Sequence, residues 1–374
     1  MTTSSQRNTR DGFPPGLPEQ LSGPAVWRQA DLPAPADLVS ALTPLDLAEL
    51  AAATAPWHAR VEADPGALNH LTPSAFPLPT LAPKLAAWRR ELLHGRGFIL
   101  ARGLPLQDWG RRFAAVAFYG LGVHLGQPRP QNAEGHLLGH VRDLGLSSDD
   151  PNVRVYQTHE RQTFHTDSAD IVGLLCLQTA RSGGESALVS SAAVYNELRR
   201  RRPDLAQLLF QPLAMDRRGE VPPGGKPYFE IPIFHWFAGQ FSAFYQRQYF
   251  DSAQRFADAP RLTAEHVAAL DFLDSLMEEP HQQFTMSLTP GDLQFVNNHT
   301  ILHDRTAFDD WPNPQRRRHL LRLWLAPIDA RPLPPVFALR YGSVELGKRG
   351  GVAMPESGGV MPLPAEGSDF PKAP

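Results

Sequence analysis

The chain has 374 residues, 42% of them hydrophobic and 20% charged, with a formal net charge of −3. That length allows one large or two ordinary domains and a sizeable core. A charge this close to neutral argues against nucleic-acid and membrane-surface partners, which draw on basic patches.

The N-terminus, MTTSSQRNTRDGF, is polar and lacks the apolar stretch of a signal peptide. No run of apolar residues is long enough for a membrane span. A lone cysteine, Cys176, rules out an internal disulfide framework and suits a reducing compartment, so a cytoplasmic location is expected. Proline is abundant, 37 residues, and crowds the ends. Residues 1–37 are therefore read as a Pro-rich N-terminal segment, 38–345 as one domain, and 346–374 as an irregular tail.

Thr43-Pro44 before LDLAELAAATA predicts a helix, with Thr as cap and Pro at the first position. A second helix is expected over about 82–94, where Leu85, Trp88 and Leu92 share a face and Gly95 follows the end. GFILARGLP, from Gly97, reads as a strand and turn, and RRFAAVAFYGLGVHLG as a helix. VRVYQTH looks strand-like. It is followed by TFHTDSAD, then the apolar β-rich run IVGLLCLQTA, then ESALVSS. A short helix with a serine cap covers SSAAVYNELRRRRPDL. Residues 211–260 are aromatic and Pro-rich without a simple period. LTAEHVAALDFLDSLMEE predicts an amphipathic helix capped by Thr263, with Val267, Leu270, Leu273 and Met277 on one stripe. Two short strands flank the Pro-Gly turn of QFTMSLTPGDLQFVNN, and RHLLRLWLAP is a strong final strand. The pattern is mainly β with α insertions (α+β): a β-sandwich or barrel under helical cover.

If TFHTDSAD is extended, His165 and Asp167 point to one face, because side chains alternate along a strand. Chance alone would supply roughly one or two such His-x-acid pairs in this chain, so the pair needs support from elsewhere. A third ligand could be His299 or His303, in QFVNNHTILHDRTAF. Two imidazoles and one carboxylate suit non-haem Fe(II) and O2. A zinc hydrolase is disfavoured, since Thr300 stands where its helix motif needs Glu. In RRRHLLRLWLAP, alternation puts Arg318, Leu320, Arg322 and Trp324 on one face and His319, Leu321, Leu323 and Leu325 on the other. Arg is seldom buried without a partner; inside a barrel the two arginines would need anions, which they bind bidentately. An edge strand with solvated arginines is the blander alternative, and Arg316 and Arg317 read as surface charge.

In this order, FHTDSAD, the apolar strand, SGGES, TPGDLQFVNNHTILHDRTAF and RRRHLLRLWL resemble the taurine-dioxygenase-like, clavaminate-synthase-like family of Fe(II)/2-oxoglutarate oxygenases, over about residues 95–330. The resemblance implies a double-stranded β-helix (jelly-roll) core. It implies His165, Asp167 and His303 as iron ligands. Ser186, where the family has threonine, and Arg318 are implied to bind 2-oxoglutarate. Arg322 matches a position that grips the acidic group of the substrate in several relatives. His299 stands where relatives often carry Arg, and on a strand it would share a face with His303; it joins Gln131 and His140 as a candidate for substrate contact. Cofactors implied are Fe(II), 2-oxoglutarate and O2, with succinate and CO2 released. Halogenating relatives lack the carboxylate that Asp167 supplies, so hydroxylation, desaturation or cyclisation is expected.

The expected partner is a small molecule bearing a carboxylate or sulfonate, with no nucleic acid and no membrane, and a homo-oligomer left open. The competing reading is a non-catalytic jelly-roll protein that binds metal or ligand. Tyr228, Phe234, Trp236 and Phe244 could line the substrate pocket, although core is the better reading for an aromatic segment.

Overall fold

In the computed structural model, residues 12–64, 66–150, 152–352, 359 and 361–363 are described. The first eleven residues and most of the expected 346–374 tail lie outside these. Two β-sheets face each other, and each is covered on its far side by helices, so the architecture is mixed α/β.

The larger sheet runs in the order Val39–Ala41, Phe98–Arg102, Leu293–Asn297, Ile171–Gln178, His319–Ala326, Gln127–Pro128, with Leu138–Val141 also paired to His319–Ala326. Its first pair is parallel and the others are antiparallel. The smaller sheet is antiparallel, in the order Phe284–Met286, Ser186–Ser190, Ile301–Arg305, Gln162–His165.

Period-two alternation sorts the side chains into layers. Leu321, Leu323 and Leu325 turn outward and pack with Leu85, Trp88, Leu92 and Phe118 of two helices, Ala82–His94 and Leu106–Leu125. On the inner face Val172, Val296 and Trp324 meet Leu188, Phe284 and Ile301 of the smaller sheet. Val189 and Leu302, on its other face, pack with Val194 and Leu198 of the helix Ser191–Arg201 and Leu270 and Leu273 of the helix Ala264–Met277.

The helix starts follow the sequence. Thr43 Oγ1 accepts from the Asp46 amide (3.2 Å), and the Asp46 carboxylate accepts from the Thr43 amide (2.8 Å), closing a capping box ahead of the helix Pro44–Ala63. Thr263 likewise accepts from the His266 amide.

Several local readings are corrected. VRVYQTH is not a strand: Val155–Gln157 forms a 3-10 turn, because the Arg154 amide is taken by Gln157 Oε1 and its guanidinium by the Gln131 carbonyl. The strand through TFHTDSAD ends at His165, so Asp167 lies in the loop beyond it. In the helix Ala264–Met277 the buried face is Ala269, Leu270, Leu273, Leu276 and Met277, while Val267 is 37% exposed. The aromatic stretch resolves into two hairpins, Leu213–Asp216 with Tyr228–Ile231 and Phe234–Phe237 with Gln240–Ala243. Residues 12–37 hold only two 3-10 turns, yet Trp27 is buried against Phe98.

Candidate metal and anion site

His165 ends its strand directly opposite His303 on the neighbouring strand. The two rings lie 4.1 Å apart, centre to centre. Asp167 reaches back from the following loop, and one ligand atom from each of the three side chains lies within 4.8 Å of the others. His303 Nε2 is 3.9 Å from Asp167 Oδ2.

Ring nitrogens and carboxylate are prepared for a metal. His165 Nδ1 donates to the Thr163 carbonyl at 2.8 Å, which turns Nε2 toward the site. Gln162 Nε2 stands 2.9 Å from that nitrogen, a donor where a cation would bind. Burial lowers the pKa of His165 and brings that of His303 down to about 3, so both rings are neutral and have lone pairs to give. Burial would raise the Asp167 carboxyl; the Arg322 guanidinium above all, with the hydrogen bond from Trp324, overcomes it and holds the group at about 2. Arg322 Nη1 (3.2 Å) and Trp324 Nε1 (3.1 Å) both donate to Asp167 Oδ2.

The loop itself is held from behind. The Asp167 amide donates to Asn298 Oδ1 at 2.9 Å, and Asn298 Nδ2 donates to the carbonyls of Asp167 and Ala169. Arg349, fully buried, forks onto the Asp170 carboxylate at 2.8–3.0 Å. Arg340 Nε donates to Ser168 Oγ at 2.8 Å.

Two adjoining cavities share Tyr156, Gln162, Asp167 and Arg322. One lies between the sheets and contains His165, His303, Ser186, Arg305 and Arg318. Arg318 is buried, and among the described residues its Nη1 has no hydrogen-bond partner. A buried cation in this state calls for an anion. Burial lowers its pKa to about 10, and that of Arg305 to about 9, the latter also through Arg318 itself. Phe308 lies against both guanidinium groups, 4.8 Å from Arg305 and 5.1 Å from Arg318. Gly184 makes room here: it sits at φ +79°, and a Cβ on it would come within 2.9 Å of Arg318 Nε. The second cavity opens on the other side of Asp167 toward Arg154, Phe229, Phe244, Tyr249 and Arg340.

The residues singled out from sequence thus divide. His165, Asp167, His303, Ser186, Arg318 and Arg322 line one space. Gln131 lies behind them, its Oε1 accepting from Arg322 Nε at 2.8 Å. His299 sits in a turn, not on the strand of His303, which starts only at Ile301. Its Nε2 bonds Asp170 Oδ1 at 2.7 Å, and its ring packs near Phe337 and Tyr341. His140 is on the outer face of its strand, bonded to His319 (2.8 Å) and the Pro362 carbonyl (2.7 Å). Of the four aromatics, Phe244 lines the second cavity and the others pack elsewhere. Trp324, Asn298, Arg154 and Arg340 were not singled out. Trp324 shares the alternating face of Arg322 and could have been; Arg340, in the turn-length helix Ala338–Tyr341, carries no pattern.

Two imidazoles and a carboxylate converging beside a buried guanidinium, whose Nη1 has no hydrogen-bond partner among the described residues, form the kind of site found in non-haem iron oxygenases, with an anionic cosubstrate next to the metal. Comparison with known proteins agrees. Residues 65–324 match the family model described as taurine catabolism dioxygenase TauD, TfdA family. The chain is 30% identical to FR-33289 synthase of Streptomyces rubellomurinus over 322 residues, 85% of this chain and 94% of that protein. It is 31% identical to the taurine hydroxylase-like protein SAT17 of Stachybotrys chartarum over 317 residues, 82% and 80% of the two. Among solved structures, asparagine oxygenase in complex with Fe(II), 3-hydroxyasparagine and succinate superposes with a TM-score of 0.58 at 20% identity, covering 77% of this chain and 93% of that one. The chain belongs to the TauD/TfdA family and is an Fe(II)- and 2-oxoglutarate-dependent dioxygenase. Among the described residues no helix is long and apolar enough to cross a membrane.

Proposed function

We propose that the chain hydroxylates, or otherwise oxidises, an aliphatic C–H bond of a small anionic molecule in the cytoplasm. Its two facing sheets would then be the halves of a jelly-roll formed by one domain spanning about 38–345. The observation that carries this reading is the convergence of His165, Asp167 and His303 in the same cavity as Arg318, whose Nη1 has no hydrogen-bond partner among the described residues.

His165, Asp167 and His303 would hold Fe(II). Arg318 would bind the distal carboxylate of 2-oxoglutarate with the Ser186 hydroxyl beside it. The bound metal supplies activation of O2, coupling loss of CO2 from 2-oxoglutarate to attack on the substrate C–H bond. Everything else falls to the chain's own groups. Arg322 and Trp324 keep Asp167 ionised and oriented. Gln131 fixes Arg322 in turn, through its Nε. The inter-sheet layer of Val172, Leu188 and Ile301 keeps water from the buried end. The balance is one C–H bond oxidised to C–OH, with O2 and 2-oxoglutarate consumed and succinate and CO2 released. Succinate and a hydroxylated amino acid in the asparagine oxygenase complex support hydroxylation over desaturation. Taurine, named for the relative from Stachybotrys, supports an acidic substrate.

The test is succinate formation and O2 uptake with Fe(II) and 2-oxoglutarate across a panel of small acids, beside iron binding by His303→Ala. Turnover in the native chain and loss of iron in the variant are expected. Absence of turnover throughout, with iron retained by the variant, would leave the competing reading of a non-catalytic binding protein.

A further inference from the structure

Arg322 lines both cavities, with its Nε given to Gln131 and its Nη1 to Asp167. Two further buried arginines, Arg154 and Arg340, line the second cavity. Arg154 Nη2 and Arg340 Nη2 (2.8 Å) both donate to the same oxygen, Oε2, of Glu220. All three side chains are buried, at 10% exposure or less. Arg340 lies beyond the residues that match the family model.

The charges do not balance. Arg217 is close enough to Arg340 to depress its own pKa, which burial and that neighbour bring to about 10. Its Nη2 donates only to the Leu339 carbonyl, its Nε has no partner among the described residues, and its guanidinium lies 4.8 Å over Phe229 on the cavity wall. Arg218, also buried, donates to the Asp150 and Val153 carbonyls. The other carboxylates of this cavity have partners: Asp216 is taken by Arg255, Ser252 and the Arg218 amide, and Asp167 by Arg322 and Trp324. Arg154, Arg217 and Arg340 therefore share one carboxylate, Glu220. Buried cations in such excess favour an anion of higher charge.

We propose that Arg340 and Arg154 form a subsite for a phosphate or phosphonate group of the substrate, and that this group replaces the Glu220 carboxylate. The inference rests on the oxygenase reading for the word substrate alone; the subsite is a property of the arginine cluster. A doubly charged group offers three oxygens to the two Nη2 atoms, which in the fold share the single Oε2 of Glu220. Glu220, carried by the segment between the strands Leu213–Asp216 and Tyr228–Ile231, is then an internal competitor that discriminates against singly charged acids.

The experiment is calorimetric titration of the full chain with methylphosphonate and with methanesulfonate, at a pH where the first is doubly and the second singly charged. Methylphosphonate is expected to bind about tenfold tighter than methanesulfonate, and Glu220→Gln to tighten it by about another tenfold. Arg340→Met is expected to weaken it by a similar factor. A gain of affinity in Glu220→Gln cannot come from misfolding, so that variant decides even if Arg340→Met is unstable. Equal binding of the two probes, no gain in Glu220→Gln, no loss in a folded Arg340→Met, or no methylphosphonate binding to native chain and Glu220→Gln alike, each overturns the subsite. Succinate formation is measured separately with Fe(II), 2-oxoglutarate and the panel of small acids: its absence throughout with the binding pattern intact counts against the oxygenase reading and leaves the subsite standing.

Discussion

Arg322 Nη1 lies 3.2 Å from Asp167 Oδ2, flanked by the rings of Tyr156 and Trp324 at 4.7 and 4.9 Å. The guanidinium is thus clamped between two aromatic faces and serves the carboxylate. Arg322→Met is expected to raise the pKa of Asp167 and to weaken Fe(II) binding about 10- to 100-fold, as loss of a ligand's supporting partner does. Equilibrium dialysis against Fe(II) checks this. A raised substrate KM with unchanged iron affinity would instead assign Arg322 to the substrate.

Gly184→Ala is expected to damage cosubstrate binding alone. The new Cβ would meet Arg318 Nε at 2.9 Å from a backbone at φ +79°. The KM for 2-oxoglutarate should rise about tenfold, the value of a displaced charge-assisted contact, while iron affinity stays as it was. Equal losses of both would place the strain in the whole sheet edge.

Asn298→Ala removes the amide that joins the turn before Ile301–Arg305 to the backbone of the Asp167 loop. Leaving a buried amide and carbonyls without partners should cost about 2–3 kcal/mol of stability. Thermal unfolding reads the cost. Iron affinity should fall with it, because the same contacts orient Asp167.

Acid sensitivity should come from buried neutral histidines. Burial brings His140 and His299 to about 4 and His235 and His303 to about 3, from an ordinary 6.5. Between those values and 6.5 the unfolded chain binds protons that the folded chain refuses, so stability falls as pH drops from 6.5 toward 4. Asp167, held at about 2, adds to the loss only as the pH nears 4. His235 has a buried Nε2 without a partner among the described residues and packs on Phe337 at 4.6 Å. His235→Phe should flatten the fall of melting temperature with pH in the iron-free protein by up to one proton's share; an unchanged slope would mean that the ring is already charged when folded.

Much of this organisation can be read from the sequence where spacing and packing agree. The stripe Leu85, Trp88, Leu92 and the alternation of Leu321 and Leu323 with Arg322 and Trp324 each follow one local period, and the fold keeps it. His299 misled because a strand period was carried across a turn: Asn297 to Thr300 reverse the chain, and the ring meets Asp170. Val155 misled because its β-branched neighbours suggest a strand, whereas the buried Arg154 beside it seeks carbonyls and Glu220. Arg340, Arg349 and Asn298 were silent since their roles depend on partners more than 100 residues away, which no local pattern encodes.

The loop carrying Asp167 is fastened by residues near the other end of the chain: Arg340 on Ser168, Arg349 on Asp170, and the Gly351 amide on the Ser168 carbonyl at 2.7 Å. Synthesis on the ribosome runs from the N-terminus. Both sheets can pair once residue 326 has emerged, but this loop gains its final restraints only some 25 residues later. A nascent chain would therefore carry paired sheets and a loosely held aspartate for a time, and competence to hold iron should follow, not accompany, the pairing of the sheets.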